Sequence, residues 1–561
     1  MKRHFSWILF LSLALNGAAW ADANDPILPG PKARGAAEGL GVGSLIDTVT
    51  MALPPKSDGS GGDIVVWGYR RNGHSGNYNW NGNNVGFLNT EGTASDRLDN
   101  PRFGTVKDFK DPKHPLYGQK VIRLFTTGHT LFALTEEGEL WAWGDSLHGT
   151  AGCVNTGYET GVNASNRFAD YGVVYNTYTM PDGSRQRGPH YQARPCPIFG
   201  LKTPTAQVKK RVVYVDGGEY NVIAITDDGE VYTWGSGAFY QTTKNTRDKG
   251  VPFNITDYFV DDKGNPERVL LVGGAYEGQY AVSVDKAGRY TLWGWGHSYY
   301  GSLVSSPNDT TVQLPKRLTQ YDSYAKDIVY VNGGFGWTGA LLSDGRVVVS
   351  GISRSIGIGN GRGYVNNFIP RVIMGEGSPG NLPGATKLIA RYIGGVAVPM
   401  DDPQALYTWG ATDGAYSQVY GDVPTRRELA GKLKSVGATK EAVFYMTEEG
   451  RLYGVGYSHY GVINVCSDIT ISWDRQRNRW VNKNSMNWYH APSSPGGYRI
   501  PYENWIDVTG VPFCDGSFPA GGDYNGQNRQ SVRQWTGYDS GDGPVPTPLS
   551  GALTCQDSAK C

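Results

Sequence analysis

Residues 212–235 read VVYVDGGEYNVIAITDDGEVYTWG, and this stretch decides the fold. An apolar strand runs up to a glycine pair, a second runs up to Asp228-Gly229, and a third closes on Trp234-Gly235. An acidic residue followed by glycine is typical of a β-hairpin turn, because glycine adopts positive φ without strain. The stretch therefore predicts a lead-in strand followed by a hairpin.

The same hairpin recurs along the chain. Its third strand closes on glycine at Gly68, Gly144, Gly235, Gly294, Gly351, Gly410 and Gly456. Six residues earlier stands a turn residue, in chain order Gly62, Gly138, Gly229, Gly288, Gly345, Gln404 and Gly450. The closing glycines from Gly235 to Gly410 are 59, 57 and 59 residues apart. A repeat of this length, filled with strands, is typical of propeller blades.

Each hairpin is accompanied by a lead-in strand that ends in glycine. These strands end at Gly128, Gly218, Gly274, Gly334, Gly395, Gly437 and Gly510. The last of them, residues 505–510, has no hairpin after it, and the first hairpin, residues 49–68, has no clear lead-in before it. Pairing the two removes two exposed sheet edges. The sequence thus predicts an all-β, seven-bladed β-propeller closed by pairing of its N- and C-terminal strands.

The N-terminal residues predict export. Lys2 and Arg3 precede an apolar run at 5–19, and residues 19–21 read AWA, which is the layout of a cleaved signal peptide. The run is short for a membrane span of about 20 residues, so we expect an extracellular, cell-surface or periplasmic protein with no transmembrane segment in the mature chain. The expected domains are a signal peptide at 1–21, a linker at 22–44, the propeller at 45–514 with insertions at 69–118, 145–205 and 467–504, and a Gly/Pro-rich tail at 515–561.

Six cysteines fit an oxidising compartment. An even number in an exported chain indicates disulfides. Proximity favours Cys153–Cys196, whereas four further cysteines allow three connectivities, of which proximity favours Cys466–Cys514 with Cys555–Cys561. We therefore expect a disulfide-containing C-terminal tail. The sequence has no C-x-x-C, so it gives no support for a zinc or redox motif.

The charge balance limits the classes of partner. The chain has 52 basic and 52 acidic residues and no net charge, whereas nucleic-acid binding requires a basic surface. Aromatic residues make up 12% of the chain and charged residues only 19%, which argues against disorder. We therefore expect a folded protein with no nucleic-acid partner.

The repeats resemble those of the regulator of chromosome condensation (RCC1) family. In that family each blade carries a lead-in strand ending in glycine, an apolar strand, an acid–glycine turn and a strand closing on Trp-Gly, and this pattern extends over residues 45–510. The family continues with a Gly-Gln-Leu-Gly run, where this chain reads GSGAFYQTT from Gly235. That difference, the signal peptide and the neutral charge argue against nucleotide exchange and chromatin roles. The resemblance in setting is to exported bacterial propellers, which act by binding.

Candidate binding residues lie in the polar loops that follow the closing glycines. Equivalent points of a repeat line one face, and tyrosine among Gly, Ser and Asn is typical of antibody-like binding surfaces. The alternative is that single tyrosines pack between blades. The predicted binding residues are Tyr69, Trp80, Tyr240, Tyr299, Tyr300, Tyr416, Tyr420, Tyr457 and Tyr460.

We expect no catalytic site, metal or cofactor. Residues 73–76 read GHSG but lack the glycine that a nucleophile elbow needs at position 77. His148, His297 and His459 follow closing motifs at similar places, yet no carboxylate recurs beside them to orient the ring. The sequence therefore predicts a protein that is not an enzyme.

The expected function is recognition of a cell-surface receptor or glycan by an exported protein, as an adhesin, an appendage-tip protein or part of a larger surface assembly. One alternative is an inhibitor or assembly partner of a single envelope or secreted protein. A second is a glycan-active hydrolase or lyase, which requires paired carboxylates or a metal in the central cavity.

Overall fold

The computed structural model describes most of residues 112–458, together with the backbone of short strands on either side. Within that range it leaves out 128–129, 147, 155–174, 190, 239–241, 243–246, 277, 299–301, 304–310, 353–365, 392–393, 411–422, 439–441 and 450–451. Helix among the described residues is confined to three 3-10 turns, Thr256–Tyr258, Thr319–Tyr321 and Ala325–Asp327. In that part of the chain no helix has the length and apolar character needed to cross a membrane.

The strands form sheets, which we number in chain order, and all their pairs are antiparallel except β14 with β8. Sheet 1 consists of β1 (Leu40–Val42), β2 (Thr48–Ala52), β3 (Ile64–Gly68) and β4 (Gly104–Thr105). Sheet 2 consists of β5 (Val121–Thr126), β6 (Thr130–Thr135), β7 (Leu140–Asp145) and β10 (Tyr191–Phe199). Sheet 3 consists of β11 (Val212–Gly217), β12 (Asn221–Thr226), β13 (Val231–Gly235) and β14 (Lys249–Asn254), extended by β8 (Tyr175–Thr179) and β9 (Arg185–Pro189).

The remaining sheets repeat this order. Sheet 4 consists of β15 (Arg268–Gly274), β16 (Gly278–Val284), β17 (Tyr290–His297) and β18 (Thr311–Arg317). Sheet 5 consists of β19 (Ile328–Gly334), β20 (Trp337–Leu342), β21 (Val347–Ile352) and β22 (Asn366–Met374). Sheet 6 consists of β23 (Ala385–Arg391), β24 (Gly394–Pro399), β25 (Ala405–Trp409) and β26 (Thr425–Glu428).

The last sheet is less regular. Sheet 7 consists of β27 (Leu433–Ala438), β28 (Ala442–Thr447) and β29 (Leu452–Ser458), and β29 also pairs with β32 (Tyr498–Ile500) and β33 (Ile506–Asp507). Between them, β30 (Ile471–Asp474) and β31 (Arg479–Asn482) form a separate hairpin. From sheet 2 to sheet 7 the first strand of each sheet contacts the first strand of the next, so the sheets are arranged as in an all-β propeller.

The predicted glycine roles are confirmed at Gly229 and Gly235. Gly229 has φ +86°, and its amide donates to the Thr226 carbonyl at 3.0 Å, closing the turn between β12 and β13. Gly235 ends β13 at φ +102°, and a Cβ there would collide with the Tyr220 carbonyl oxygen. Glycine is therefore required where the third strand passes against the loop between the first two strands.

The core lies between neighbouring sheets. Fully buried Trp234 of β13 packs with Phe132 of sheet 2 and with Val222 of its own sheet. Its indole Nε1 donates to the Thr150 carbonyl at 2.7 Å, so the residue before the closing glycine joins sheets 2 and 3. Burial of such a side chain contributes about 3–5 kcal/mol to the free energy of unfolding.

Three expectations are wrong in detail. Ile506 pairs with Gly454 inside sheet 7 and not with the first hairpin, whose lead-in is β1, within the expected linker. Gly395 does not end a lead-in strand: β23 ends at Arg391, and Gly395 belongs to β24. The insertion at 145–205 is not all loop, because β8 and β9 extend sheet 3 while β10 completes sheet 2.

A β-bulge recurs in the first strands of sheets 2 to 7, which the sequence did not predict. A bulge re-aims the residue that follows it. These residues lie at one level of the propeller axis and are Arg123, Tyr214, Leu271, Tyr330, Lys387 and Ser435.

Candidate protein-binding face

The two ends of the propeller are built from different connections. In an antiparallel sheet, the connection after the first strand and the connection after the third lie at the same end. We call this end the loop face. The opposite end, the turn face, carries the turns between second and third strands and the connections from one sheet to the next.

Aromatic side chains stand on the loop face directly after the first strands of sheets 3, 4 and 5. They are Tyr220, Tyr276 and Phe335, each half-buried. The rings of Tyr276 and Phe335 meet edge to face, with centroids 5.6 Å apart. Aromatic rings that are partly exposed in this way offer wide contact area at a small entropic cost.

Hydrogen bonds tie these loops into one surface. The Glu219 amide donates to the Tyr276 carbonyl at 3.1 Å, and Asn221 Nδ2 donates to the same oxygen at 3.4 Å. Asn221 is fully buried, and its Oδ1 accepts from Gln279 Nε2 at 3.0 Å. The loops of sheets 3 and 4 are therefore held by buried amides in a fixed arrangement.

A histidine–aspartate pair joins the insertion of sheet 2 to the same surface. His148 Nδ1 lies 2.9 Å from Asp248 Oδ2, and the His148 ring meets the Tyr220 ring at 4.6 Å between centroids. Asp248 Oδ1 also accepts from the Gly237 amide at 3.2 Å. The carboxylate that the sequence lacks beside this histidine thus comes from 100 residues further along the chain.

The histidines expected at similar places do not converge where the structure describes them. His297 is buried in β17 and pairs with Thr311, whereas His459 lies outside the described residues. Across the described part of the chain, no group of three His, Cys, Asp or Glu side chains is arranged to hold a metal ion.

Lys249 lies beneath the histidine–aspartate pair and is 2% exposed. Its Nζ donates to Thr242 Oγ1 at 2.8 Å and lies 5.4 Å from the Phe253 ring centre. Burial lowers the pKa of Lys249 to about 8, although the neighbouring Asp248 carboxylate opposes this. The cost of burying the charged form outweighs that attraction.

The cysteine pair at the base of the insertion has the geometry of a disulfide. Cys153 and Cys196 are buried, with Cα atoms 6.1 Å apart, within the range that bridges span. The bond would tie the start of the insertion to β10. Its formation in the protein stays a prediction, and the other cysteines, Cys466, Cys514, Cys555 and Cys561, lie outside the described residues.

The tyrosines and the tryptophan predicted to bind remain untested. Tyr457 lies in β29, where only the backbone is described. The others lie outside the described residues: Tyr69, Trp80, Tyr240, Tyr299, Tyr300, Tyr416, Tyr420 and Tyr460. Sequence reasoning missed Tyr220, Tyr276 and Phe335. The sequence pattern that could have found them is an aromatic residue within two positions of a glycine pair, as in GGEY, GGAY and GGF.

Comparison with known proteins supports the repeat. Residues 212–241 match the Regulator of chromosome condensation (RCC1) repeat family. Protein pim1 of Schizosaccharomyces pombe is 24% identical over 224 residues, covering 37% of this chain and 39% of pim1. The RCC1-like G exchanging factor-like protein of Homo sapiens is 31% identical over 163 residues, covering 29% of this chain and 32% of that protein. The chain thus spans well under half the length of either relative.

A solved structure extends the likeness beyond a single repeat. Yeast RCC1 (Prp20), in its crystal structure bound to Kap60, aligns over 83% of this chain and 89% of its own, with a TM-score of 0.50 and 16% identity. At that identity the likeness shows the fold alone. The fold is an all-β propeller, and the matched repeat supports a relation between its blade motif and the RCC1 family.

Proposed function

We propose that the chain is an exported propeller that binds a protein partner at the cell surface or in the envelope through its loop face. The observation that carries this proposal is the continuous surface of Tyr220, Tyr276 and Phe335 across three successive sheets, joined to the pair of His148 and Asp248. Protein-binding surfaces are enriched in such aromatic residues, with adaptable polar groups around them.

The rigidity of the loops favours binding. Since Asn221 and the Glu219 amide fix the Tyr276 loop, little conformational entropy is lost when a partner docks. The signal-peptide layout and the geometry of Cys153 and Cys196 support export. A protein partner is favoured because the similar yeast propeller is bound to a protein, Kap60.

We further propose that the propeller has seven blades and closes without sharing strands between its ends. Sheet 1 supports the count, because β1 contacts both β5 of sheet 2 and β27 of sheet 7. Each sheet would then come from one stretch of chain, apart from the β8–β9 hairpin that extends sheet 3. A disc closed in this way keeps loops from neighbouring sheets in fixed positions.

The test is affinity capture from envelope extracts and from intact cells with the mature chain, from residue 22 onward. The loop-face variant carries Tyr220→Ser, Tyr276→Ser and Phe335→Ser. The matched turn-face control replaces three exposed, ion-paired residues, Lys120→Ser, Lys202→Ser and Arg289→Ser. We expect the loop-face variant to lose at least about tenfold in affinity, or about 1.4 kcal/mol, and the control to bind as the wild type does.

The captured material separates the kinds of partner. A single protein supports an inhibitor or an assembly partner, whereas capture of whole cells supports an adhesin. Equal binding by the loop-face variant would contradict the proposed face. Turnover of a polysaccharide by the wild-type chain would contradict a purely binding role.

A further inference from the structure

We propose that the propeller axis carries a second site, which binds a carboxylate through Arg123. This site is separate from the loop face and does not depend on the function proposed for it. At this site the neighbours of a buried guanidinium leave it incompletely paired.

The surrounding side chains reach across the axis. Arg123, Tyr214 and Tyr330 are the residues after the bulge in β5, β11 and β19. Two residues further on, Asn332 Nδ2 donates to Asp216 Oδ2 at 2.9 Å, although sheet 4 lies between their two sheets. These first strands therefore place one polar cluster at the centre of the disc.

Arg123 is enclosed but incompletely paired. Its side chain is 13% exposed, and its nearest carboxylate oxygen, Asp216 Oδ1, lies 3.8 Å from Nη2, which is too long for a hydrogen bond. Its Nε is shielded from solvent and has no acceptor among the described residues. The guanidinium instead stacks on the Tyr214 ring, with Cζ 4.4 Å from the ring centre.

Asp216 is already engaged by other donors. Its Oδ1 accepts from the Gly217 amide at 2.9 Å, and its Oδ2 accepts from Asn332. Burial raises the pKa of Asp216, although Arg123 opposes this. Desolvation lowers the pKa of Arg123, but Tyr214 and Asp216 outweigh it, so the net shift is upward and the cation is retained. The cluster therefore holds a positive charge that Asp216 neutralises incompletely.

A carboxylate fits this environment better than other anions. The planar guanidinium presents its two terminal nitrogens, Nη1 and Nη2, as parallel donors, which match the two oxygens of a carboxylate. Burial raises the pKa of Tyr330 well above its ordinary value, so its hydroxyl remains a donor. Lys387, half-buried at the same register on β23, adds a second cation to the first strands, and its Nζ donates to the Val436 carbonyl at 3.1 Å.

The test measures the melting temperature of the mature chain in excess sodium succinate, sodium phosphate or sodium chloride at equal ionic strength. We expect succinate alone to raise the melting temperature, by about 2 °C. Arg123→Gln should abolish the rise, and Arg123→Lys should remove most of it, because lysine keeps the charge but lacks the fork. Arg289→Gln, on an exposed and ion-paired arginine, serves as the matched control and should retain the rise.

The outcomes decide the proposal. An equal rise in chloride, or an undiminished rise in Arg123→Gln, would overturn it. If the variants do not fold, calorimetric titration of the wild-type chain with succinate decides. We expect one site per chain, and the absence of binding heat would overturn the proposal. If succinate prevents capture of the partner, the carboxylate belongs to the partner. If native mass spectrometry shows a small acid retained by the chain, the carboxylate belongs to a free ligand.

Discussion

The two faces of the propeller differ in the side chains that they present. On the turn face, residues of one connection pair with the turn beside them: Lys202 Nζ lies 2.8 Å from Glu137 Oε2, and Lys210 Nζ lies 2.7 Å from Glu230 Oε1. On the loop face, Tyr276 and Phe335 remain half-exposed. The same antiparallel sheets thus end in a self-paired charged surface on one side and in a partly exposed aromatic surface on the other.

This difference indicates which face is better suited to bind a partner. Exposed ion pairs contribute only about 0–1 kcal/mol to stability, yet they leave few charges that need a partner. The buried Asn221 holds the Tyr276 loop of the aromatic surface, and Trp234 ties the Thr150 carbonyl of the adjoining insertion to sheet 3. We therefore expect the interior to determine stability and to support the loop face. Substitutions on the turn face should change neither the free energy of unfolding nor partner affinity strongly.

The largest expected effect comes from removing the support of the loop face. Trp234→Ala should lower the free energy of unfolding by about 3–5 kcal/mol, since it opens a cavity between sheets 2 and 3 and frees the Thr150 carbonyl. Urea denaturation measures this. Trp234→Phe keeps most of the packing and should cost less. A loss under about 1 kcal/mol for the alanine variant would show that the core between these sheets is not what holds the loops.

The second prediction concerns pH. Lys249 has a pKa of about 8 in the folded chain and an ordinary value of 10.5, so its contribution to stability is present above pH 10.5 and is lost as the pH falls to 8. Lys249→Met should therefore gain up to about 3 kcal/mol over the wild type below pH 8, less the hydrogen bond to Thr242. The gain should shrink as the pH rises from 8 to 10.5.

Parallel denaturation of the two chains across this pH range measures that gain. Lys202→Met on the turn face is the control, because its side chain is exposed and its ion pair with Glu137 contributes at most about 1 kcal/mol to stability. A constant difference between Lys249→Met and wild type would contradict the buried-charge account.

The third prediction sharpens the role of the tied loops. Asn221→Ala removes two hydrogen bonds, to the Tyr276 carbonyl and to Gln279 Nε2, at a cost of about 1–3 kcal/mol. Partner affinity should also fall, because the Tyr276 loop loses one of the hydrogen bonds that hold it. Asn265→Ala, in an exposed connection on the turn face, should change neither quantity. Unchanged affinity in Asn221→Ala would show that the loops need no such support.

The smallest effect is expected on the turn face. Lys120→Ala breaks the exposed ion pair with Glu136 and should lower the free energy of unfolding by less than about 1 kcal/mol, and still less at high salt. Thermal melting at low and high salt measures this. A loss as large as that of Asn221→Ala would remove the contrast between the two faces.

The local features of this fold were readable from sequence, and its long-range features were not. The turn at Gly229 depends on neighbours within the hairpin, so its pattern predicts it. The partner of Ile506 depends on which sheet reaches it, and it pairs with Gly454 of its own sheet. The glycine pair at 394–395 resembles the others but begins a strand instead of following one.

For the candidate sites, too, sequence could identify local features but not long-range ones. Tyr220 and Tyr276 share a visible position after a glycine pair, so sequence could have identified them. The axial cluster could not be found in this way, because Asn332 and Asp216 are 116 residues apart and meet only across the axis.

The most direct test of the binding face is a hydrogen-exchange footprint of the chain with its captured protein partner. Binding on the loop face predicts slower exchange at residues 217–222, 274–280 and 333–338, with no change in the turns at 227–230 and 285–289. Protection confined to those turns would contradict the assignment of the loop face as the binding surface.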